Sequence, residues 1–255
     1  MNHFFAQEDA FSADHKTVVI RGDDAHHIMH VLRMKVGEEF SVSSTAESDT
    51  AEYRFGIVAT EEGAVTGELR FIKKEGVELP ARITLFQGLP KADKMELITQ
   101  KAVELGVAKI VPVACERSIV KLAPGRAEKK VARLQAIAEA AAKQSRRGMI
   151  PEVSFVMRFP EACVLAQEAD VFLLPYELAQ EESVSAMEET REVIRAIKPE
   201  STVAVFVGPE GGFSKEEVQL CKEKGASVIT LGRRILRTET AGMALLSWLV
   251  FQLES

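Results

Sequence analysis

The chain has 255 residues, 46% of them hydrophobic, and a formal net charge of −6 at pH 7. These values exclude a disordered chain and allow one large domain, or a small and a medium one. No signal peptide opens the sequence, and the longest apolar stretch, residues 243–253, is too short to cross a bilayer, so we expect a cytoplasmic protein. Cys115, Cys163 and Cys221 are scattered without a C-x-x-C motif, which predicts buried thiols rather than disulfides or zinc ligands.

The charge is unevenly distributed along the chain. Residues 73–160 carry 17 basic and 9 acidic side chains, whereas the segments on both sides of this block are acidic. An acidic protein with one basic surface can bind a phosphate backbone, because local charge decides where RNA docks. The alternative interpretation of the basic block is a solvated helical surface.

Residues 1–72 have the pattern of a small β domain with one helix. β-branched and aromatic runs separated by glycines predict strands at residues 17–20, 39–43, 53–59 and 65–72. Residues 23–34 have a helical pattern, with Asp23 or Asp24 as the N-cap and Gly37 shortly after the end.

All five histidines lie in this first part of the chain, which disfavours a Ser-His-Asp triad or a histidine-rich metal centre in the remainder. His26 and His30 have the i, i+4 spacing of a metal-binding pair on a helix. No acidic or cysteine ligand follows at a matching spacing, so we expect surface or packing histidines.

Residues 73–80 form a polar linker with Gly76 and Pro80, where a domain boundary is expected. From residue 81 to residue 255, strands and helices alternate, which predicts an α/β domain with a parallel sheet covered by helices on both faces. Asp93 is expected to cap the first of these helices through a capping box with Glu96, and Gly106 to end it. The expected strands are residues 83–87, 109–113, 170–174, 203–207 and 228–231, and the later helices are residues 127–145, a segment within 184–197, 215–225 and 241–253.

Two glycine-containing loops follow buried strands near the C-terminus. GPEGG at residues 208–212 ends one strand, and Ser214 with Glu217 has the spacing of a capping box that opens the next helix. The second loop runs from Gly232 to Thr238 and Glu239, before the apolar terminal helix. Backbone N–H groups at the carboxyl ends of strands favour a ligand, although neither loop has the G-x-G-x-x-G or P-loop pattern. Tight structural turns are the alternative interpretation.

These motifs together resemble one family. GPEGGFS at residues 208–214 and LGRRILRTETAG at 231–242 closely resemble the RsmE family of SPOUT-superfamily methyltransferases, which methylate N3 of a uridine in bacterial 16S rRNA. Supporting matches are HVLRMKVGE at residues 30–38, KADKMELITQKAVELGV at 91–107, ERS at 116–118 and QSRR at 144–147. One departure is that residues 44–47 lack the Asp-Gly turn associated with the family.

The resemblance implies a PUA-like β-barrel at residues 1–72 and a SPOUT methyltransferase domain at residues 81–255 with a C-terminal trefoil knot. It implies 16S rRNA, in the assembled 30S subunit, as the partner, a homodimer through the C-terminal helix region, and neither a metal nor a membrane. The RNA contacts that it implies are Arg33, Lys35, Lys91, Lys94, Arg117, Gln144 and Arg147.

The resemblance also places S-adenosylmethionine among loops at residues 174–177, 207–211 and 231–241, where glycines would let the backbone approach the cofactor. The cofactor-binding residues expected there are Leu174, Pro175, Tyr176, Glu177, Val207, Gly208, Pro209, Gly211, Leu231, Gly232, Ile235, Leu236, Arg237, Thr240 and Ala241.

Methylation of uridine N3 requires the loss of a weakly acidic proton. A cation near O2 or O4 would stabilise the developing charge, and Arg237 is the candidate for this role. Glu239 could accept the proton or hold that arginine in place, and Glu210 is the alternative base. For each of these residues a structural ion pair is the alternative role.

Other functions stay open at this point. The chain could be a SPOUT methyltransferase acting on another RNA, a non-catalytic RNA-binding protein of the same fold, or a small-molecule α/β enzyme with a nucleotide cofactor. The missing nucleotide-binding fingerprints disfavour the last of these.

Overall fold

A computed structural model describes residues 1–46, 49, 51–74, 76–118, 124–179 and 185–254. The chain forms two compact units, one comprising Met1–Glu78 and Ala142–Ile150, and the other comprising Leu79–Ala141 and Pro151–Ser255. The division expected from the sequence did not place residues 142–150 with the first unit. They belong there because the Arg147 guanidinium pairs with Glu78, and Lys143 contacts Asp24 at 2.9 Å.

The first unit is built on a five-stranded sheet. Its strand order is β1-β3-β4-β5-β2, with β1 parallel to β3 and the other pairs antiparallel. The strands are β1 (His3–Ala6), β2 (Thr17–Arg21), β3 (Glu39–Ser44), β4 (Glu52–Glu61) and β5 (Ala64–Lys73). The four predicted strands are confirmed. Their inward side chains form an apolar core that includes Val18, Phe40, Phe55 and Ile57, all of them almost completely buried.

The predicted helix of residues 23–34 is shorter in the structure. Helix α1 covers Gly22–His26, and a π-turn over His27–Val31 continues it. The N-cap is Arg21 rather than Asp23 or Asp24, and both aspartates lie in the first turn, where their charges favour the positive end of the helix dipole.

The second unit contains a seven-stranded sheet in which every described pair is parallel. Its order is β12-β10-β11-β6-β7-β8, with β9 also paired to β7. The strands are β6 (Arg82–Gly88), β7 (Lys109–Ala114), β8 (Glu152–Val153), β9 (Met157–Arg158), β10 (Val171–Pro175), β11 (Thr202–Val207) and β12 (Ser227–Ile229). The predicted parallel sheet is therefore confirmed.

Helices alternate with these strands. They are α2 (Lys94–Glu104), α3 (Pro124–Ser145), α4 (Phe159–Ala166), α5 (Ala186–Arg195), α6 (Lys215–Glu223) and α7 (Thr238–Leu253). The predicted capping box of Ser214 and Glu217 is confirmed. The one expected at Asp93 is wrong, because the Asp93 side chain makes no cap hydrogen bond and Glu96 pairs with Arg133 instead. No helix in the described part of the chain is long and apolar enough to cross a membrane.

Both faces of the sheet are covered, as predicted. Helices α4 and α6 bring Cys163 and Cys221 into a core around Phe206, which stacks on Phe86 with ring centroids 4.6 Å apart. Helix α7 packs against α2, α5 and β11 on the other face. All three cysteines are buried and free, which confirms that prediction. The trefoil knot stays a prediction of the resemblance.

Candidate active site

Four loops meet at one edge of the sheet in the second unit. Strands β12, β10, β11 and β6 are neighbours in that order and run in parallel, so their carboxyl ends lie side by side. The segments that follow them include the two glycine-containing loops singled out in the sequence. In open α/β sheets this edge is where ligands bind.

The loop after β11 packs tightly against neighbouring segments at three glycines, Gly88, Gly211 and Gly212. A Cβ on Gly88, at the end of β6, would lie 2.6 Å from Pro209 Cδ. A Cβ on Gly212 would lie 2.9 Å from Glu177 Oε1, and the φ of +67° at Gly212 also disfavours other residues. Gly211 lies against the Arg117 side chain, whose Nη1 donates to the Gly211 carbonyl oxygen at 3.1 Å. The loop is thus fixed against the segments after β6, β7 and β10.

A buried hydrogen-bond network connects β6, β11 and α7. The Gln87 side chain is fully buried and its Nε2 donates to Gly88 O at 2.9 Å, to Thr238 Oγ1 at 2.9 Å and to Val207 O at 3.4 Å. Thr238 Oγ1 in turn donates to Gly208 O at 2.6 Å. Neither side chain was among the predicted site residues. The sequence feature that could have indicated Gln87 is its place at the end of a mostly apolar predicted strand, because a buried glutamine there usually forms hydrogen bonds.

Three charged side chains meet beside this network. Lys94 Nζ, at the start of α2, lies 3.0 Å from Glu210 Oε1 and 3.4 Å from Glu239 Oε2. The Glu210 carboxylate also accepts from the Lys91 backbone N–H at 3.1 Å. The hydrogen bond that Lys94 donates to Glu210, together with its contact to Glu239, raises the pKa of Lys94 against the opposing effect of partial desolvation.

The two acidic side chains of this cluster differ in their surroundings. Partial burial would raise the pKa of Glu210, but backbone hydrogen bonds and Lys94 outweigh it and hold that pKa below its ordinary value. Glu239 has a buried Oε2 without a hydrogen-bond partner among the described residues, apart from the charge contact with Lys94. Glu210 is therefore engaged on both oxygens, whereas Glu239 retains acceptor capacity.

Arg237 is the N-cap residue of α7, two positions before Glu239. Its side chain is exposed, and the described residues provide it with no hydrogen bond or ion pair. The neighbouring Arg233, Arg234 and Ile235 are exposed as well, and the Ile235 side chain is 88% accessible. This segment presents unpaired positive charge next to the carboxylate cluster.

The residues predicted to bind the cofactor are brought to this edge. Leu174 and Pro175 end β10, Tyr176 follows with its N–H on Ile229 O, and Gly232 has a φ of +102° in the loop after β12. The last helix was expected to begin at about Ala241, but α7 begins at Thr238, so Thr240 and Ala241 both lie within its first turn. Glycines at close contacts and a buried polar network suit a small molecule bound largely by backbone groups.

The residues predicted to contact RNA are divided between the two units. Lys91, Lys94 and Arg117 lie at the edge just described, while Arg33, Lys35 and Gln144 are exposed in the first unit. For Arg147, the structure shows a different contact from the predicted one to RNA. Its side chain is only 3% exposed and donates from Nε to both Glu78 oxygens, so its geometry is that of a structural ion pair.

Comparison with known proteins gives consistent matches along the chain. The family described as RNA methyltransferase domain matches residues 77–250, and the RNA methyltransferase PUA domain matches residues 20–45. The ribosomal RNA small subunit methyltransferase E of Bacillus subtilis is 34% identical over 239 residues, covering 93% of this chain and 91% of that protein. The chain belongs to the RsmE family.

Further RsmE relatives agree. The ribosomal RNA small subunit methyltransferase E of Aquifex aeolicus is 30% identical, covering 91% of this chain and 93% of that protein. The crystal structure of the Neisseria gonorrhoeae RsmE bound to S-adenosylmethionine is 29% identical with a TM-score of 0.77, covering 97% of this chain and 95% of that one. The fold and the family predicted from the sequence are therefore confirmed.

Proposed function

We propose that this RsmE-family chain uses S-adenosylmethionine to methylate N3 of a specific uridine of 16S rRNA in the cytoplasm, with the assembled 30S subunit as substrate. The names of its relatives support methylation of small-subunit rRNA, and the Neisseria structure supports the cofactor. The observation that carries the choice of a ring nitrogen is the unpaired Arg237 two residues from Glu239. A cation and a carboxylate together suit a nucleophile that must first lose a proton.

The proposed cofactor site lies among the loops after β10, β11 and β12. Gly208, Gly211 and Gly212 let the backbone of the β11 loop approach the ligand, and Gln87 and Thr238 hold that backbone in place. When bound, S-adenosylmethionine supplies an electrophilic methyl group on a sulfonium. The fixed glycine-containing loops would orient that group and exclude water from it.

Glu239 is our choice of proton acceptor over Glu210. Both Glu210 oxygens accept from the Lys91 N–H, and the lowered pKa of Glu210 makes it a weak base. Glu239 has no hydrogen bond of this kind among the described residues. Arg237 would donate to a uridine carbonyl oxygen as negative charge develops on the base, and one such preorganised donor is worth about 3 kcal/mol.

Two further parts of the proposal concern the RNA-binding surface and the homodimer. Lys91, Arg117, Arg33 and Lys35 are exposed cations that would contact RNA phosphates. The homodimer would form through α7, whose apolar residues extend to the exposed Phe251.

The test is transfer of tritium from labelled S-adenosylmethionine to unmethylated 30S subunits and to free 16S rRNA, followed by nucleoside analysis. We expect label in 3-methyluridine and a preference for 30S subunits. Arg237→Ala should lower transfer by about 100-fold or more, whereas Arg158→Ala, an exposed arginine in another part of the second unit, should have no effect. Label in a different nucleoside would refute the choice of uridine N3. Cofactor binding without any transfer would keep the fold but move the target to another RNA, whereas RNA binding without cofactor binding would favour a non-catalytic RNA-binding protein.

A further inference from the structure

The contacts of Lys94 differ from those expected of an RNA-binding lysine. Its ammonium lies between Glu210 and Glu239, which come from the β11 loop and from α7, and both contacts are within 3.4 Å. The three side chains are only 18–28% exposed, so their charges are partly shielded from water. Lys94 thus connects three segments that are distant in sequence, and its charge is already compensated within the protein.

The two carboxylates need a cation between them. Two carboxylates that share one site repel each other, and without a compensating charge one of them takes up a proton. Among the described residues, Lys94 on α2 is the cation within 4 Å of both carboxylates, while Arg237 lies two positions before Glu239 and Lys91 contacts Glu210 through its backbone N–H. The acidic side chain in the first turn of α2, Glu96, does not join this cluster, because it is paired with Arg133.

We propose that Lys94 is a positioning residue for methyl transfer, whose ammonium holds Glu239 in the orientation of a proton acceptor and offsets its repulsion from Glu210. The inference rests on the proposed function. In the step that it supports, the N3 proton of the uridine passes to Glu239, and the N3 electron pair forms the new bond to the methyl carbon. The carbon–sulfur bond breaks with its electron pair on sulfur, and Glu239 later releases its proton to water. Lys94 stays protonated throughout.

The neighbouring Lys91 provides a matched control. Only its backbone N–H contacts Glu210, while its side chain is exposed and forms no ion pair with the described residues. Each phosphate contact contributes about 0.9 to the slope of log affinity against log salt for duplex nucleic acid and about 0.7 for single strands. Replacement of Lys91 should therefore change the salt dependence of RNA binding, whereas replacement of Lys94 should not.

The experiment compares Lys94→Met, Lys94→Arg and Lys91→Ala. We expect Lys94→Met to lower kcat by about 100-fold near neutral pH, to move the acid limb of the pH–rate profile to higher pH, and to leave cofactor affinity and the RNA salt slope unchanged. Lys94→Arg should recover part of the loss. Lys91→Ala should reduce the salt slope by about one phosphate contact and keep the wild-type pH profile.

A second measurement is independent of activity. With ¹³C-labelled glutamate, the carboxyl signals of the Glu210 and Glu239 pair, assigned with Glu→Gln variants, should titrate at higher pH in Lys94→Met than in the wild type. An unchanged titration, a reduced salt slope or a loss of cofactor binding in Lys94→Met would each overturn the positioning role. If the wild-type chain methylates neither RNA, the proposed function fails and the catalytic role of Lys94 fails with it, while the titration still reports whether the bridge exists.

Discussion

At the scale of single residues, the candidate site depends on buried, uncharged polar side chains that form hydrogen bonds with one another and with the backbone. Gln87 and Thr238 are both buried, and together they connect the end of β6, the loop after β11 and the start of α7. Most buried polar groups are hydrogen-bonded, as Gln87 Nε2 and the Thr238 hydroxyl are here, while Gln87 Oε1 has no partner among the described residues. The pair therefore fixes the backbone carbonyl of Gly208 at the edge where we place the cofactor.

Thr238→Val tests this network with little change in side-chain volume. The substitution removes the donor to Gly208 O and the acceptor for Gln87 Nε2, so the partly buried carbonyl and the buried amide both lose that partner. We expect the free energy of unfolding to fall by about 1–3 kcal/mol and cofactor affinity to weaken. Thr238→Ser keeps the hydroxyl and should retain the affinity. Urea denaturation and calorimetric titration with S-adenosylmethionine measure both effects, and a Thr238→Val chain as stable as the wild type would contradict the assignment.

Individual site residues could be predicted from motifs, but their partners could not. The sequence placed Arg237, Glu239 and Glu210 in loops after strands of a parallel sheet, and in the structure Glu210 and Glu239 meet at Lys94. It gave Lys94 and Arg147 the same RNA-binding role. In the structure the two residues have different partners. Arg147 is buried against Glu78, which lies 69 residues away in the sequence, whereas Lys94 contacts Glu210 and Glu239. The spacing of residues along the sequence does not predict ion pairs between residues so far apart.

At the scale of elements, the two predicted capping boxes had opposite outcomes. Ser214 and Glu217 are buried, so the carboxylate and the backbone N–H groups around it have few partners except one another. Glu96 is more accessible and finds a stronger partner in Arg133 of α3. A capping pattern is therefore a good predictor where burial removes the competitors.

The Glu217 carboxylate also accepts from the Glu116 backbone N–H at 2.8 Å, which joins the start of α6 to the loop after β7. Glu217→Ala leaves the N–H groups of Ser214 and Glu116 without this acceptor, and we expect a loss of about 2–3 kcal/mol of unfolding free energy. Glu216→Ala, in the same turn but exposed, should cost less than about 0.5 kcal/mol. Urea denaturation gives the stabilities and amide hydrogen exchange at both residues gives the local effect. Equal losses in the two variants would contradict this role of Glu217.

The elements that the sequence did not predict are short or lack a periodic pattern. Strand β1 has four residues that are all buried, so no alternation marks it, and β8 and β9 have two residues each. Helix α4 is eight residues long and contains Pro160 in its first turn. The long helix α3 was predicted to within a few residues, because hydrophobic periodicity is informative over several turns. Strand β11 was predicted from its apolar run, which ends in the GPEGG turn.

At the scale of the whole molecule, the division into units depends on tertiary contacts that composition does not reveal. The sequence predicted a polar linker at residues 73–80, and in the structure the first continuous part of one unit ends at Glu78. Residues 142–150 belong to that unit although they begin within the last turn of the long helix α3. Their membership is set by Arg147 and Lys143, whose acidic partners lie 69 and 119 residues away along the chain.

The proposed homodimer is tested at Phe251. This side chain is 79% exposed near the end of α7 and lines a cavity of about 360 Å³ with Trp248, Met187 and Ile194. Apolar surface of this kind is stabilised when a second copy covers it, so Phe251→Arg should shift the chain from dimer to monomer. Phe155→Arg is the control, because Phe155 is also 69% exposed but lies outside α7. Light scattering after size exclusion measures the mass. A monomeric wild type, or a Phe251→Arg chain that stays dimeric, would contradict an interface through α7.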